Sequence, residues 1–330
     1  MARIAIVGVG AIGGALASLL QVTGRHQITL CTRRPLPQLV ALTPQGEVRI
    51  TATNLTNPAD AKPVDWVLVA TKAYDSESAA AWFPGLCAEG APVAIVQNGV
   101  EHRERFAAWV SQDRLLPVVI DCPVERRADG VVHVRGTVLL KVEDSPLGRG
   151  FLSLFAGSPA NLVPVEDFTT AAWWKLCLNT VGALNALSLQ PVRVLWGERM
   201  TSISRAMAAE CLAVAQAEGA RLDATVIDEI IGMYRSHPGD SINSLLADRL
   251  AGQRMEWDAR NGAVVRKGKK HGIPTPMNEL TLALLEVAGD ELPNRPTLGQ
   301  QDAHAEVGRV DRVRAPTGRL PISDLDHLRN

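Results

Sequence analysis

The stretch RIAIVGVGAIGGALASLL, residues 3–20, decides the fold. It opens on a short β-branched run of the kind buried on both faces of a parallel sheet, and it closes on an Ala- and Leu-rich segment with a helical pattern. Between them, Gly8-Val9-Gly10-Ala11-Ile12-Gly13 spells G-x-G-x-x-G. In a strand-turn-helix frame each glycine has its own task. Gly8 permits the tight turn, Gly10 removes a Cβ that would block a pyrophosphate, and Gly13 lets the helix lie close on the strand. The backbone N–H groups at the helix start, Ala11 and Ile12 among them, then face phosphate with the positive dipole end behind them. A second strand, ITLCT (28–32), completes a β-α-β unit, so the pattern predicts a dinucleotide-binding site.

Where that second strand ends, an NAD site commonly presents an acid to the ribose 2′-hydroxyl. Here the residues are Thr32, Arg33 and Arg34. A guanidinium binds a 2′-phosphate through charge-assisted hydrogen bonds, so Arg33 and Arg34 predict NADP(H) rather than NAD(H). The plainer reading is two solvated cations at a strand end.

Working outward, WVLVAT (66–71) and PVAIVQN (92–98) read as further strands alternating with helices, as in a parallel sheet. Ligands of open α/β sheets lie beyond the carboxyl ends of strands, which puts Lys72 and Asn98-Gly99 where cofactor and substrate would meet. From Leu115 to Val142 short strands broken by Asp129-Gly130 and Arg135-Gly136 turns predict an antiparallel extension of the same sheet. A helix near 147–156 and a strand near 161–165 follow. Strand patterns then vanish, and helices are expected near 170–188, 201–219, 223–235, 241–251, 255–271 and 277–289, with Asp167 or Thr169 able to cap the first. The division expected is 1–166 for an NADP-binding Rossmann domain, 167–290 for an all-helical domain, and 291–330 for a weakly ordered tail rich in proline.

Composition removes several classes of function. A length of 330 residues fits about two domains. Thirty-four basic against 35 acidic residues leave a net charge of −1, which argues against an extended nucleic-acid surface. The apolar N-terminus is interrupted by glycine where a signal peptide needs a continuous helix, and no later run reaches the roughly 18 apolar residues of a membrane span. Five cysteines, at 31, 87, 122, 177 and 211, are too scattered for a disulfide framework or a C-x-x-C site. These features predict a cytoplasmic protein with reduced thiols and no membrane or nucleic-acid partner. The seven histidines lack clustered ligand spacing, and no metal is expected.

Two polar residues interrupt the apolar helix TTAAWWKLCLNTVGALNALS: Lys175 and Asn179, four apart and so on one face. A lysine there snorkels, pairs with an acid, or faces a polar cleft. Glu256 is a candidate for the opposite charge.

The ordered set GVGAIG, TKAYD around Lys72, IVQNGV around Asn98, WWKLCLN around Lys175 and Asn179, and NSLLADRLAGQRMEWD with Ser244 and Glu256 resembles the ketopantoate reductase family. The resemblance runs to about residue 290. It implies a Rossmann domain followed by a helical domain like that of 6-phosphogluconate dehydrogenase, with the site in the cleft between them. It also implies NADPH-dependent reduction of 2-dehydropantoate to pantoate, a step of pantothenate and coenzyme A synthesis. In that scheme Lys175 matches the general acid, and Glu256 matches the residue that bonds the nascent hydroxyl and orients the lysine. Asn98 and Asn179 match positions that orient nicotinamide and substrate, Ser244 matches a ligand of the substrate carboxylate, and Lys72 matches a cleft lysine near both. Homodimerisation through the helical domain is a family expectation with no interface legible in the residues.

The chain departs from the family where a second asparagine commonly follows four residues after Asn179, since that position is Ala183. Asn185, about 240° around a continuous helix from Asn179, is no substitute. A substrate hydrogen bond is then expected to be missing, which leaves reduction of another 2-oxo acid or carbonyl compound as an alternative. A non-catalytic NADP(H)-binding redox sensor is the reading from a different class.

Overall fold

The chain is described as a computed structural model over residues 1–127 and 129–290. It begins with β1 (Arg3–Val7), α1 (Ala11–Thr23) and β2 (Gln27–Cys31), then β3 (Val40–Thr43), β4 (Gly46–Arg49), β5 (Thr53–Leu55) and β6 (Trp66–Val69). After β6 come α2 (Ser76–Ala80), α3 (Phe83–Leu86), β7 (Val93–Ile95), α4 (His102–Phe106) and β8 (Leu115–Pro117). Six strands form one sheet in the order β5-β2-β1-β6-β7-β8, every pair parallel. Two consecutive halves wind outward from β1, so the order reverses between β1 and β6, and the crevice beyond their carboxyl ends is the expected ligand position.

The continuous apolar runs follow from burial on both faces. Ile4 and Ile6 of β1, Leu68 of β6 and Ala94 of β7 face a core with Leu16 and Leu20 of α1. Their alternates Ala5, Val7, Val67, Val69, Val93 and Ile95 face a second core with Phe83, Leu86 and Phe106. Strand side chains alternate faces, so a strand covered on both sides is apolar at every position.

The segment expected to extend this sheet in antiparallel fashion divides instead. Leu115–Pro117 joins as the sixth parallel strand. The rest gives β9 (Val119–Asp121), β10 (Val124–Arg126), β11 (Val132–Val134) and β12 (Leu139–Glu143), followed by α5 (Pro146–Leu154) and β13 (Asn161–Val165). These build two small sheets, β13-β12-β9 and β10-β11-β3-β4. The second recruits the β3–β4 hairpin, which the sequence reading passed over; its inner face lies on α1, where Gly14 leaves room for Val132.

Among the described residues from Phe168 onward every regular element is helical: α6 (Phe168–Val181), α7 (Ala183–Ser188), α8 (Glu198–Ala217), α9 (Thr225–Ser236), α10 (Ser244–Leu250), α11 (Ala263–His271) and α12 (Pro276–Asp290), with a π-turn over Asp258–Gly262. Asp167 caps α6, its carboxylate accepting from the Thr170 amide at 3.0 Å and hydroxyl at 2.7 Å. The expected helix 170–188 is broken at Gly182, where an alanine-sized side chain would meet Asn243 and Tyr234. The helices share a separate core that includes Trp173, Leu176, Met207, Leu212 and Ile230. The tail expected at 291–330 lies outside the described residues.

Candidate functional site

The glycine turn follows β1 at the reversal point. Gly8 sits at φ +91° with its amide donating to Cys31 O at 3.1 Å, and a Cβ there would lie 2.7 Å from the Thr71 amide nitrogen at the end of β6. A Cβ on Gly13 would lie 2.0 Å from Gly8 O, so glycine is what allows α1 to approach the turn. At Gly10 the same construction meets nothing within 4 Å: the space in front of the helix start is open. No side chain caps α1, leaving the first amides, those of Ala11 and Ile12 included, without a capping partner. The turn and the uncapped helix start thus leave an open cradle of backbone amides. Arg126 of β10, which the sequence reading did not single out, reaches the cradle and donates to Val9 O.

At the end of β2, Thr32 Oγ1 donates to Arg34 O at 2.7 Å and steadies the turn that carries both arginines. Arg33 is 85% exposed, and its guanidinium lies 3.9 Å from Asp75 in the turn after β6. Arg34 is exposed. The 2′-phosphate position predicted from Arg33 and Arg34 therefore also holds a carboxylate.

Beyond the ends of β6 and β7 the polar residues converge. Lys72 Nζ lies 2.6 Å from Asp248 Oδ2 and 3.4 Å from Glu256 Oε2. Glu256 also accepts from the Ala73 amide at 2.8 Å and from Asn98 Nδ2 at 3.1 Å. Asn98 Oδ1 in turn accepts from Asn179 Nδ2 at 3.4 Å. Lys175, one turn before Asn179 on α6, lines the same cleft with Gln97 and Asn98, and its Nζ lies 3.2 Å from Asp121 Oδ1 of β9. Ser244, at the start of α10, is reached by Arg260 Nη2 at 2.8 Å.

One expected pairing is corrected. Glu256 does not supply the charge opposite Lys175; its ammonium neighbour is Lys72, and that of Lys175 is Asp121. The residue after α10 that carries the carboxylate faces the end of β6, whereas α6 presents Lys175 to β9. Ala183 is fully buried in the helical core. Asn185 is spent internally, donating to Gln190 O at 3.0 Å and accepting from Asn243 at 3.1 Å.

The electrostatics separate the two cleft carboxylates. Burial raises Asp248 above the ordinary carboxylate range, against the pull of Lys72. Burial acts on Glu256 in the same direction, but Lys72, Arg260 and the bonds from Ala73 and Asn98 outweigh it and hold its pKa down. Buried His102 is pushed down to about 4, first by desolvation and then by Arg105. Its Nε2 is 2.8 Å from Gln97 O, so the neutral ring braces the strand end that carries Asn98. Asp248, Arg260, Asp121 and Arg126 were missed by sequence reasoning. The one available signal was that Asp248 lies four residues after Ser244, on the same helix face.

Residues 4–146 match the family profile of ketopantoate reductase PanE/ApbA, and residues 167–288 match that of its C-terminal part. The 2-dehydropantoate 2-reductase of Caulobacter vibrioides is 44% identical over 288 residues, covering 87% of this chain and 99% of that protein. The crystal structure of a PanE/ApbA family ketopantoate reductase from Ralstonia eutropha superposes with a TM-score of 0.81 at 30% identity, covering 88% and 99% of the two chains. A dimeric ketopantoate reductase from Staphylococcus aureus shares the fold with a TM-score of 0.78 at 22% identity, covering 88% and 99%. The chain belongs to the ketopantoate reductase PanE/ApbA family.

Proposed function

We propose that the protein reduces 2-dehydropantoate to pantoate with NADPH, with residues 1–166 holding the cofactor and 167–290 completing the substrate side. The carrying observation is that Lys175, Asn98 and Asn179, far apart in sequence, line one pocket beyond the parallel sheet, and that Asn98 links it to Glu256 and Lys72. The open space at Gly10 and the uncapped start of α1 fit a dinucleotide pyrophosphate, held by the turn from Gly8 through Ala11 and Ile12 to Gly13. Arg33 and Arg34, exposed just after β2, support NADPH through charge-assisted bonds to its 2′-phosphate. The bound cofactor supplies a hydride to the 2-keto carbon.

The protein's residues do the remaining work. Lys175 donates a proton to the ketone oxygen as negative charge develops there, leaving its ion pair with exposed Asp121 to do so. Asn98 and Asn179, already hydrogen-bonded to each other, hold nicotinamide and substrate in register. Glu256, ionised at neutral pH, accepts from the nascent hydroxyl, and Ser244 with Lys72 receives the substrate carboxylate. Family kinship supports a homodimer and a cytoplasmic site of pantothenate synthesis. Among the described residues no helix is long and apolar enough to cross a membrane.

Loss of NADPH absorbance with ketopantoate and a panel of other 2-oxo acids, beside Lys175→Ala, tests the reading. Lys175-dependent turnover that prefers ketopantoate is expected. Turnover only with another acid reassigns the substrate, and none with any acid overturns the proposal.

A further inference from the structure

Arg260 is the only lysine or arginine among the described residues that is buried, 2% exposed, and nothing in the reaction scheme above uses it. We propose that Arg260 is a positioning residue for the substrate carboxylate: it donates to Ser244 Oγ, turning that hydroxyl's proton toward an incoming 2-oxo carboxylate, and sets a fixed positive charge behind it.

The geometry carries this in three steps. A serine hydroxyl has one proton and two lone pairs. With Arg260 Nη2 donating to the oxygen at 2.8 Å, the proton must point away from the guanidinium, and Ser244 is an exposed residue. Second, the guanidinium has no ion pair among the described residues, and its Nε is buried without a hydrogen-bond partner. A permanently charged, desolvated group with no carboxylate in direct contact and one donor unmet is costly to keep for packing alone.

Third, the charges beside it favour the role. Lys72 contributes one positive charge, and Asp248 and Glu256 beside it contribute two carboxylates, one held toward protonation by burial and the other ionised. With both ionised, that trio is net negative and repels an anion. Arg260, whose field reaches both carboxylates and the buried Tyr234 phenol, offsets one of these negative charges, and Arg105 acts on Glu256 as well. The π-turn over Asp258–Gly262 places Arg260 in this cluster, and such turns are frequent at functional sites.

The inference rests on the reading of the protein as a 2-oxo acid reductase, so its test separates the two. Steady-state KM for the accepted 2-oxo acid and for its uncharged methyl ester is compared in wild type, Arg260→Gln, Arg260→Lys, Ser244→Ala and the Arg260→Gln/Ser244→Ala double variant. Binding of oxamate, an unreactive 2-oxo acid analogue, is titrated alongside. Arg260→Gln should raise KM for the acid about tenfold to a hundredfold, the span of losing a charge-assisted hydrogen bond, with kcat and the ester KM moving less than about twofold. Arg260→Lys should recover part of the loss, and the double variant should be little worse than either single one. Equal KM rises for acid and ester, an unchanged acid KM, or full additivity overturns the inference. Should Arg260→Gln fail to fold, Arg260→Lys and Ser244→Ala still decide it through the same acid-to-ester comparison. If no 2-oxo acid is reduced but oxamate binding still weakens in the Arg260 variants, the anion subsite stands and the reductase reading falls; if oxamate binding is indifferent to Arg260, the subsite falls as well.

Discussion

Two glycines of one motif should fail in opposite ways. A methyl group on Gly13 would lie 2.0 Å from Gly8 O, so about 1 Å or more of displacement is needed, and the atom in the way is backbone in a tight turn rather than the end of a mobile side chain. Overpacking of this kind costs about 3 kcal/mol, while the helix propensity of alanine over glycine returns about 1 kcal/mol. The clash wins, and Gly13→Ala should lose about 2 kcal/mol, or roughly 4–8 °C in Tm. Gly10 stands at φ −83° with nothing within 4 Å of the position its Cβ would take. Alanine fits there without strain and should leave stability unchanged or raise it by less than about 1 kcal/mol. The added methyl occupies the open space assigned to the pyrophosphate, so the Kd for NADPH should rise roughly tenfold to a hundredfold. Thermal melts and fluorescence titration of NADPH on both variants are the assay. A Gly13→Ala protein melting within about 1 °C of wild type would refute the packing argument, and a Gly10→Ala protein with wild-type affinity would refute the placement of the pyrophosphate.

Three further outcomes follow from other parts of the structure. Asp167→Ala removes the α6 cap and the Arg221 partner, and should cost about 1–2 kcal/mol in urea denaturation at pH 7. Bonds from the Thr170 amide and hydroxyl and from Arg221 hold the Asp167 carboxyl down to about 2, below its unfolded value, so this stability is present above about pH 4 and fades as pH falls toward 2; a wild-type-to-variant difference that does not shrink in acid contradicts it. Asp75→Asn should raise the NADPH-over-NADH binding ratio about threefold to tenfold by removing the carboxylate 3.9 Å from Arg33, and a ratio that stays put shows that Arg33 does not bind the 2′-phosphate. Glu256→Gln should cost about 2 kcal/mol at pH 7, because a buried acceptor of charge-assisted bonds is neutralised. Its folded pKa is lowered, so the gap from wild type should close as pH drops below about 4, and a pH-independent gap in denaturation would count against the ionised state of Glu256.

The parts of the fold legible in the sequence are those written locally. A strand covered on both faces must be apolar at each position, which made β1, β6 and β7 readable, and the glycine turn is fixed by contacts within a few residues and the neighbouring strand end. The small sheets were not readable in this way. β11 pairs in parallel with β3, some ninety residues earlier, and β3 and β4 are four-residue strands, the first half-buried and the second mostly exposed, so their periodicity carries little signal. The same distinction separates the site residues. Lys72 and Asn98 were found because strand ends locate them. Asp248 and Arg260 acquire meaning only when α10 and the π-turn are folded against the sheet, a placement no spacing records.

Charge complementarity was the weakest guide, and the reason bears on how the cleft is built. Matching Lys175 to Glu256 by opposite sign ignored that a buried carboxylate goes where several donors already point. Three donors converge on Glu256 from the sheet side: the Ala73 amide, Asn98 Nδ2 and the Lys72 ammonium. A residue from the helical part is thereby pinned to the end of β6 and β7, and the Asn98–Asn179 bond ties α6 to the same point. Lys175 stays outside this network with an exposed partner, Asp121, whose side chain is 55% accessible. An ion pair whose carboxylate is open to solvent is held less firmly than one buried on both sides. The arrangement thus fixes the groups that must orient cofactor and substrate and leaves loosely held the one ammonium whose proposed task is to give up its proton.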